Sequence, residues 1–112
     1  MRVRIMNTKR KTVSIIIKNW NAYQCLETTL NCLRQNDPGK DFELIICDDN
    51  SRKDVIDKLI KINAKLILNR DEKVGAPSVG NQGYLVSSGE YLAFLDSDVL
   101  LPENWLADLI DE

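Results

Sequence analysis

Asp96-Ser97-Asp98 carries the most definite chemistry in this sequence. It follows the apolar run Leu92 to Leu95, and carboxylates at i and i+2 of an extended chain point the same way. Like charges that close repel unless a cation or a proton lies between them. Oxygen donors with no His or Cys beside them select Mg2+ or Mn2+ over zinc. Mg2+ takes one or two protein carboxylates and fills its shell with water and phosphate oxygens, so the pair implies a metal-bound phosphate ester. An Asp-x-Asp triplet also arises often by chance in acidic loops, so the motif alone is weak.

The rest of the inventory narrows the chemistry by exclusion. Histidine is absent, which removes Ser-His-Asp and Cys-His catalysis and every His-ligated metal. Cys25, Cys32 and Cys47 are odd in number and lack C-x-x-C spacing, which fits neither a disulfide framework nor a zinc site; they read as buried thiols. Carboxylates, Lys, Arg, hydroxyls and a bound metal remain. Polar residues crowd three more places, Lys18-Asn19-Trp20-Asn21, Asp48-Asp49-Asn50-Ser51 and Asn69-Arg70-Asp71, each directly after an apolar run. For Asp48 and Ser51 taken singly, capping of a following helix is the plainer reading.

Those runs define the elements that must position the polar groups. Val13 to Ile17 is short, β-branched and nearly all apolar, as a parallel strand covered on both faces should be. Asn21 can cap a helix over Ala22 to Gln35, where Leu26, Thr29, Leu30 and Leu33 recur at helical spacing, and Asp37-Pro38-Gly39 ends it. Phe42 to Cys47 is a second strand. Ser51-Arg52-Lys53-Asp54 resembles a capping box before a second helix with Val55, Leu59 and Ile62 on one face. Ala64 to Leu68 is a third strand. Gly75 to Ser88 reads as a loop leading into a helix, because its glycines and Pro77 lower helix propensity while Val79, Leu85 and Val86 share a side. Tyr91 to Leu95 is a fourth strand, and Pro102 opens a last helix with Trp105, Leu106, Leu109 and Ile110 inward. Strand and helix alternate four times, which implies right-handed crossovers and a mainly parallel α/β sheet with helices on both faces. Ligands of such sheets bind at the carboxyl ends of the strands, where the polar clusters fall.

At 112 residues the chain suits one domain, and with 44% hydrophobic and 29% charged residues it has the composition of a globular protein. A net charge of −2 argues against a nucleic-acid partner. No apolar run is long enough to span a membrane. Met1 to Lys11 is basic but lacks the apolar stretch of a secretory signal, so it reads as a flexible leader before a domain over residues 12–112, with a cytoplasmic location. A weaker alternative rests the leader on the inner face of an anionic membrane.

Val13-Ser-Ile-Ile-Ile-Lys-Asn-Trp-Asn21, Asp48-Asp49-Asn50-Ser51, Gly75 through Asn81-Gln82-Gly83, and Gly89-Glu-Tyr-Leu-Ala-Phe-Leu-Asp-Ser-Asp98 together resemble the N-terminal half of the family 2 glycosyltransferases. These are inverting enzymes of the Rossmann-like GT-A fold that use nucleotide-diphosphate sugars. The resemblance covers about Thr12 to Glu112. It implies a sheet in order 3-2-1-4, with the ends of strands one and four bordering one cleft. It also implies that Lys18, Asn19 and Trp20 line the base and ribose site and that Asp49 accepts a hydrogen bond from a ring N–H. Asp98 would hold Mn2+ or Mg2+, Asp96 would approach the ribose or the metal, and Ser97 and Asn81 would complete the nucleotide-sugar contacts.

Three positions depart from the family pattern. Lys18 stands where Pro or Thr is common, Trp20 where Tyr is usual, and Gly80 where many members place an Arg that helps hold the nucleotide sugar; Lys18 or Arg70 could substitute electrostatically. The resemblance also implies an acceptor site, a carboxylate acting as catalytic base and further diphosphate contacts in a second half. The expectation is therefore the donor and metal side of a truncated transferase, with no catalytic residue of its own. Sugar would pass from the nucleotide diphosphate to a hydroxyl of a glycan or lipid-linked acceptor, and these 112 residues alone would be inactive and prone to self-associate through uncovered edges. A nucleotide-sugar-binding module without turnover is the alternative. A sugar nucleotidyltransferase would need a Gly-rich loop after the first strand, and a receiver domain an acidic pair there; neither is present.

Overall fold

The structure, a computed structural model, describes residues 3–7, 13–35 and 42–97. In chain order they form β1 (Val3–Asn7), β2 (Val13–Asn19), α1 (Tyr23–Gln35), β3 (Phe42–Asp48), α2 (Lys53–Leu59), β4 (Lys65–Leu68), α3 (Ala76–Val86) and β5 (Tyr91–Asp96). Asp98, the turn Asp37-Pro38-Gly39 and the helix expected from Pro102 lie outside the described residues. One five-stranded sheet runs β1-β5-β2-β3-β4. Its last four strands are parallel to one another and stand in the expected order, so the GT-A-like frame holds.

The expectation of a flexible leader is corrected within residues 1–11. Val3–Asn7 pairs antiparallel with β5, Val3 opposite Leu95 and Asn7 opposite Tyr91. Without it β5 would present an unpaired edge, and an unpaired row of N–H and C=O groups favours such an addition. Val3-Arg4-Ile5 does alternate as an edge strand should, although the surrounding charge masks the pattern. The opposite edge is β4, only 4 residues long and led by exposed Lys65, features that discourage edge-to-edge pairing.

The strand runs are nearly all apolar because both faces of the sheet are covered. Val13, Ile15 and Ile17 of β2, Ile46 of β3 and Ala93 and Leu95 of β5 pack with Leu26, Leu30 and Leu33 of α1 and Val55 and Leu59 of α2. Ile16, Ile45 and Cys47 point to the other face, under Val79 of α3. There α3 lies so close that a Cβ on Gly83 would come within 2.5 Å of Ile16 Cγ2. Burial of Cys47 pushes its thiol up to about 11.

At the amino ends of the strands Glu43 ties three segments together. Its Oε2 accepts hydrogen bonds from Ser14 Oγ at 2.6 Å, Ser88 N at 2.6 Å and Ser88 Oγ at 2.9 Å, while Lys65 Nζ lies 2.8 Å from Oε1. Gly89 N in turn donates to Ser14 Oγ. Burial alone would raise the carboxyl, but Lys65 and the serine donors outweigh it and hold Glu43 at about 2. This clamp fixes the turn that feeds β5 and thereby the height at which Asp96 emerges.

Candidate functional site

The parallel register places the chemistry at one end of the sheet. Lys18 lies opposite Cys47 of β3 on one side and Asp96 of β5 on the other, and Asn19 lies opposite Asp48. Just beyond, a brace built on Asp48 holds the loops. Asn19 Nδ2 donates to Asp48 Oδ1 at 3.0 Å, Ser51 N to Asp48 Oδ2 at 2.9 Å, and Asp49 N to Asn19 O at 2.8 Å. Asn21 N donates to Ser51 Oγ and Arg52 N to Asn21 Oδ1. Asn21 and Asn50 adopt positive φ, +50° and +66°, which asparagine tolerates better than most side chains. Two capping expectations are thereby corrected. Asn21 and Ser51 spend their side chains on each other's loops and on Asp48, and the residue at the start of α2 is Arg52, without a side-chain cap.

Asp49 is 4% exposed and already loaded. Its Oδ1 accepts from Val74 N at 2.7 Å, its Oδ2 from Gly75 N at 2.9 Å, and Lys73 Nζ stands 3.6 Å from Oδ2. The same ammonium lies 4.8 Å from the centroid of the Trp20 ring, a cation–π distance. Gly75, at φ +91°, turns the chain from this anchor into α3. Across the site Lys18 Nζ is 3.5 Å from Asp96 Oδ1. The hydroxyl of buried Thr29, within reach of the Ser97 carbonyl at 3.0 Å, ties the end of β5 to α1.

These groups enclose a cleft of about 370 Å³. The end of β2 contributes Lys18, Asn19 and Trp20, the loop after β3 Asp49, and the end of β5 Asp96 and Ser97. Lys73, Ala76 and Val79 close it from the α3 side, Ala22 and Cys25 from the start of α1. Six residues expected from the sequence are thus brought together. Asn81 is not: it is exposed on α3 and does not line the cleft, and its neighbour Gln82 pairs reciprocally with Asn69 at 2.8 Å. Sequence reasoning missed Lys73 and Cys25. Cys25, read as a core thiol, is exposed at the cleft wall. Only its place one turn before Thr29, at the start of the helix nearest the strand ends, could have signalled this.

One buried acceptor in the cleft lining is unpaired. Asn19 is 2% exposed, its Nδ2 serves Asp48, and its Oδ1 has no hydrogen-bond partner among the described residues. An acceptor left so is costly unless a ligand donor reaches it. For a divalent ion, the described residues include no group of three or more His, Cys, Asp or Glu able to hold one. Mg2+ or Mn2+ needs only one or two protein carboxylates, however, and the end of β5 offers the oxygens of Asp96 with no imidazole to compete, the Cys25 thiol in the lining coming from the start of α1. The donor set therefore fits a hard ion whose shell is largely water and phosphate.

The sequence pattern described as "Glycosyl transferase family 2" matches residues 14–112. This chain belongs to that family. It is 34% identical over 105 residues to the GalNAc(5)-diNAcBac-PP-undecaprenol beta-1,3-glucosyltransferase of Campylobacter jejuni, an alignment covering 89% of this chain and 34% of that protein. Among solved structures, S. aureus TarS 1-349 in complex with UDP superposes with a TM-score of 0.76 at 25% identity, over 89% of this chain and 31% of TarS. The fold is also shared with the mannosyltransferase PcManGT from Pyrobaculum calidifontis, solved with GDP-Man and Mn2+. The TM-score is 0.68 at 21% identity, over 96% of this chain and 36% of that one. This family 2 chain spans about a third of the length of each of these proteins.

Proposed function

We propose that this chain forms the nucleotide-sugar and metal side of an inverting glycosyltransferase that moves a sugar from a nucleotide diphosphate to an acceptor hydroxyl. The observation that carries the reading is the cleft at the ends of β2, β3 and β5, where Asn19 Oδ1 is an unpaired buried acceptor beside Asp49, Trp20 and Asp96. A nucleoside supplies what this wall lacks. Its ribose hydroxyls are donors for Asn19 Oδ1, its base has a face for the half-exposed Trp20 ring, and a ring N–H can add to the lone pairs left on Asp49. Asp96, with Asp98, would hold the divalent ion. That ion, when bound, supplies neutralisation of the charge that develops on the leaving diphosphate.

Lys18 and Lys73 contribute fixed positive charge on the same wall. The backbone braces from Asp48 and Asp49 keep the site rigid, so donor binding costs little reordering. Inversion requires a base on the far side of the anomeric carbon from the diphosphate. Both described carboxylates at the cleft are engaged, Asp49 by backbone N–H groups and Asp96 by Lys18. This favours donor binding without transfer by these 112 residues. The undecaprenol-linked substrate in the name of the Campylobacter relative supports a lipid-linked acceptor, and with it work at a membrane face. No helix among the described residues is long and apolar enough to cross a membrane. Three free cysteines suit the reducing cytoplasm.

Calorimetry with UDP, GDP, CDP and ADP, each with Mn2+ and with EDTA, tests the proposal. Binding of at least one diphosphate, tighter with Mn2+ than with EDTA, is expected. Asp98→Ala should abolish the metal dependence and Asp49→Ala should flatten the preference among bases. Equal affinity in Mn2+ and EDTA would refute the metal role, and no binding of any nucleotide would refute the site.

A further inference from the structure

We infer that Lys18 is an exchangeable counter-ion of the cleft, seated on Asp96 when the cleft is empty and passed to the donor's diphosphate when a divalent ion takes Asp96. The inference rests on the donor-site reading above. Two observations place Lys18 in this role. Its ammonium is 3.5 Å from Asp96 Oδ1, with the Lys18 side chain only 21% exposed and that of Asp96 31%. Its stem runs where α3 leaves room, since a Cβ on Gly80 would already meet Lys18 Cδ at 4.0 Å and Phe94 Cε1 at 3.9 Å. Gly80 thus lies beside the Lys18 stem at ordinary contact distance, and α3 does not crowd the lysine.

Charge balance gives the exchange its direction. Among the described residues each carboxylate of the cleft faces an ammonium, Lys73 beside Asp49 and Lys18 beside Asp96. A divalent ion arriving alone must displace Lys18 and then tolerate its charge nearby. A diphosphate arriving alone finds Lys18 held by Asp96. Arriving together, the ion neutralises Asp96 and the released ammonium meets the diphosphate, so each ligand removes the obstacle to the other, as reciprocal linkage requires. A partly exposed ion pair of this kind shifts an equilibrium by roughly twofold to fivefold.

The test is Mn2+ titration followed by electron paramagnetic resonance, without nucleotide, on the wild-type chain, Lys18→Met and Lys18→Arg. UDP calorimetry in Mn2+ is run on the same three proteins, and thermal melts check that each is folded. Lys18→Met should bind Mn2+ alone roughly twofold to fivefold more tightly and UDP more weakly, whereas Lys18→Arg keeps the pair and stays near wild type in both. A merely structural lysine would not move the two affinities in opposite directions. If wild type binds UDP but Lys18→Met leaves Mn2+ affinity unchanged or lower, the exchange is wrong while the donor site stands. If wild type binds no UDP, the donor reading falls and the exchange falls with it. Should Lys18→Met not fold, Lys18→Gln takes its place with the same expected signs.

Discussion

Glu43→Gln is the perturbation whose size can be worked out most directly from the structure. The carboxyl lies at about 2 in the folded chain against an ordinary 4.5. At 1.36 kcal/mol per pH unit that displacement corresponds to about 3 kcal/mol. Lys65, one of its partners, is half exposed, and solvent screening of that ion pair trims the figure to about 2 kcal/mol. Because the folded value is depressed, the stabilisation is complete above pH 4.5 and is lost as the pH falls from there towards 2. Glu43→Gln keeps a carbonyl oxygen for the Ser14 and Ser88 donors but loses the charge. Urea unfolding at pH 7 should therefore show the variant about 2 kcal/mol less stable, with the gap to wild type narrowing steadily below pH 4.5. Equal midpoints at pH 7, or a gap that does not change with pH, would refute the assignment of this clamp.

Two further outcomes follow from the packing. Gly83→Ala places a methyl 2.5 Å from Ile16 Cγ2 and 3.1 Å from Cys47 Sγ, both fully buried. The gain in helix propensity, about 1 kcal/mol, is outweighed by overpacking of about 1–3 kcal/mol, so thermal melting should show a net loss. Iodoacetamide should modify Cys25, exposed at the cleft wall, well before Cys47, whose thiol is held up at about 11; UDP should slow the reaction at Cys25, as peptide mass mapping would read.

The strands of the sheet were legible because Val13 to Ile17, Phe42 to Cys47 and Tyr91 to Leu95 are apolar apart from Ser14 and Glu43, the mark of strands covered on both sides, while their order followed from the family resemblance. The cleft was legible for the same reason, since strand ends in a parallel sheet converge on one edge. Other features depend on pairings between distant segments. Asp49 looks like a free carboxylate in sequence, yet Val74 and Gly75, 25 and 26 residues on, occupy both its oxygens. Lys73 sits in a charged stretch with no periodicity, and only the return of that loop over Trp20 gives it a place. Ser51 and Asn21 have the composition of helix caps but are drawn off by each other and by buried Asp48. Val3–Asn7 gains its identity from an edge of β5 that a local reading of a basic segment does not contain.

The central claim is that the cleft at the ends of β2, β3 and β5 is where this family 2 chain takes its nucleotide. The most direct test is a 15N-detected titration with UDP in the presence of Mg2+, reading backbone amides and the two indole N–H signals. The account predicts saturable shifts confined to residues 18–20, 49, 73–76 and 96–97 and to the Trp20 indole, with Asn81 and the exposed side of α3 unmoved. Shifts centred on α3 around Asn81, or none at the strand ends at saturating UDP, would contradict it.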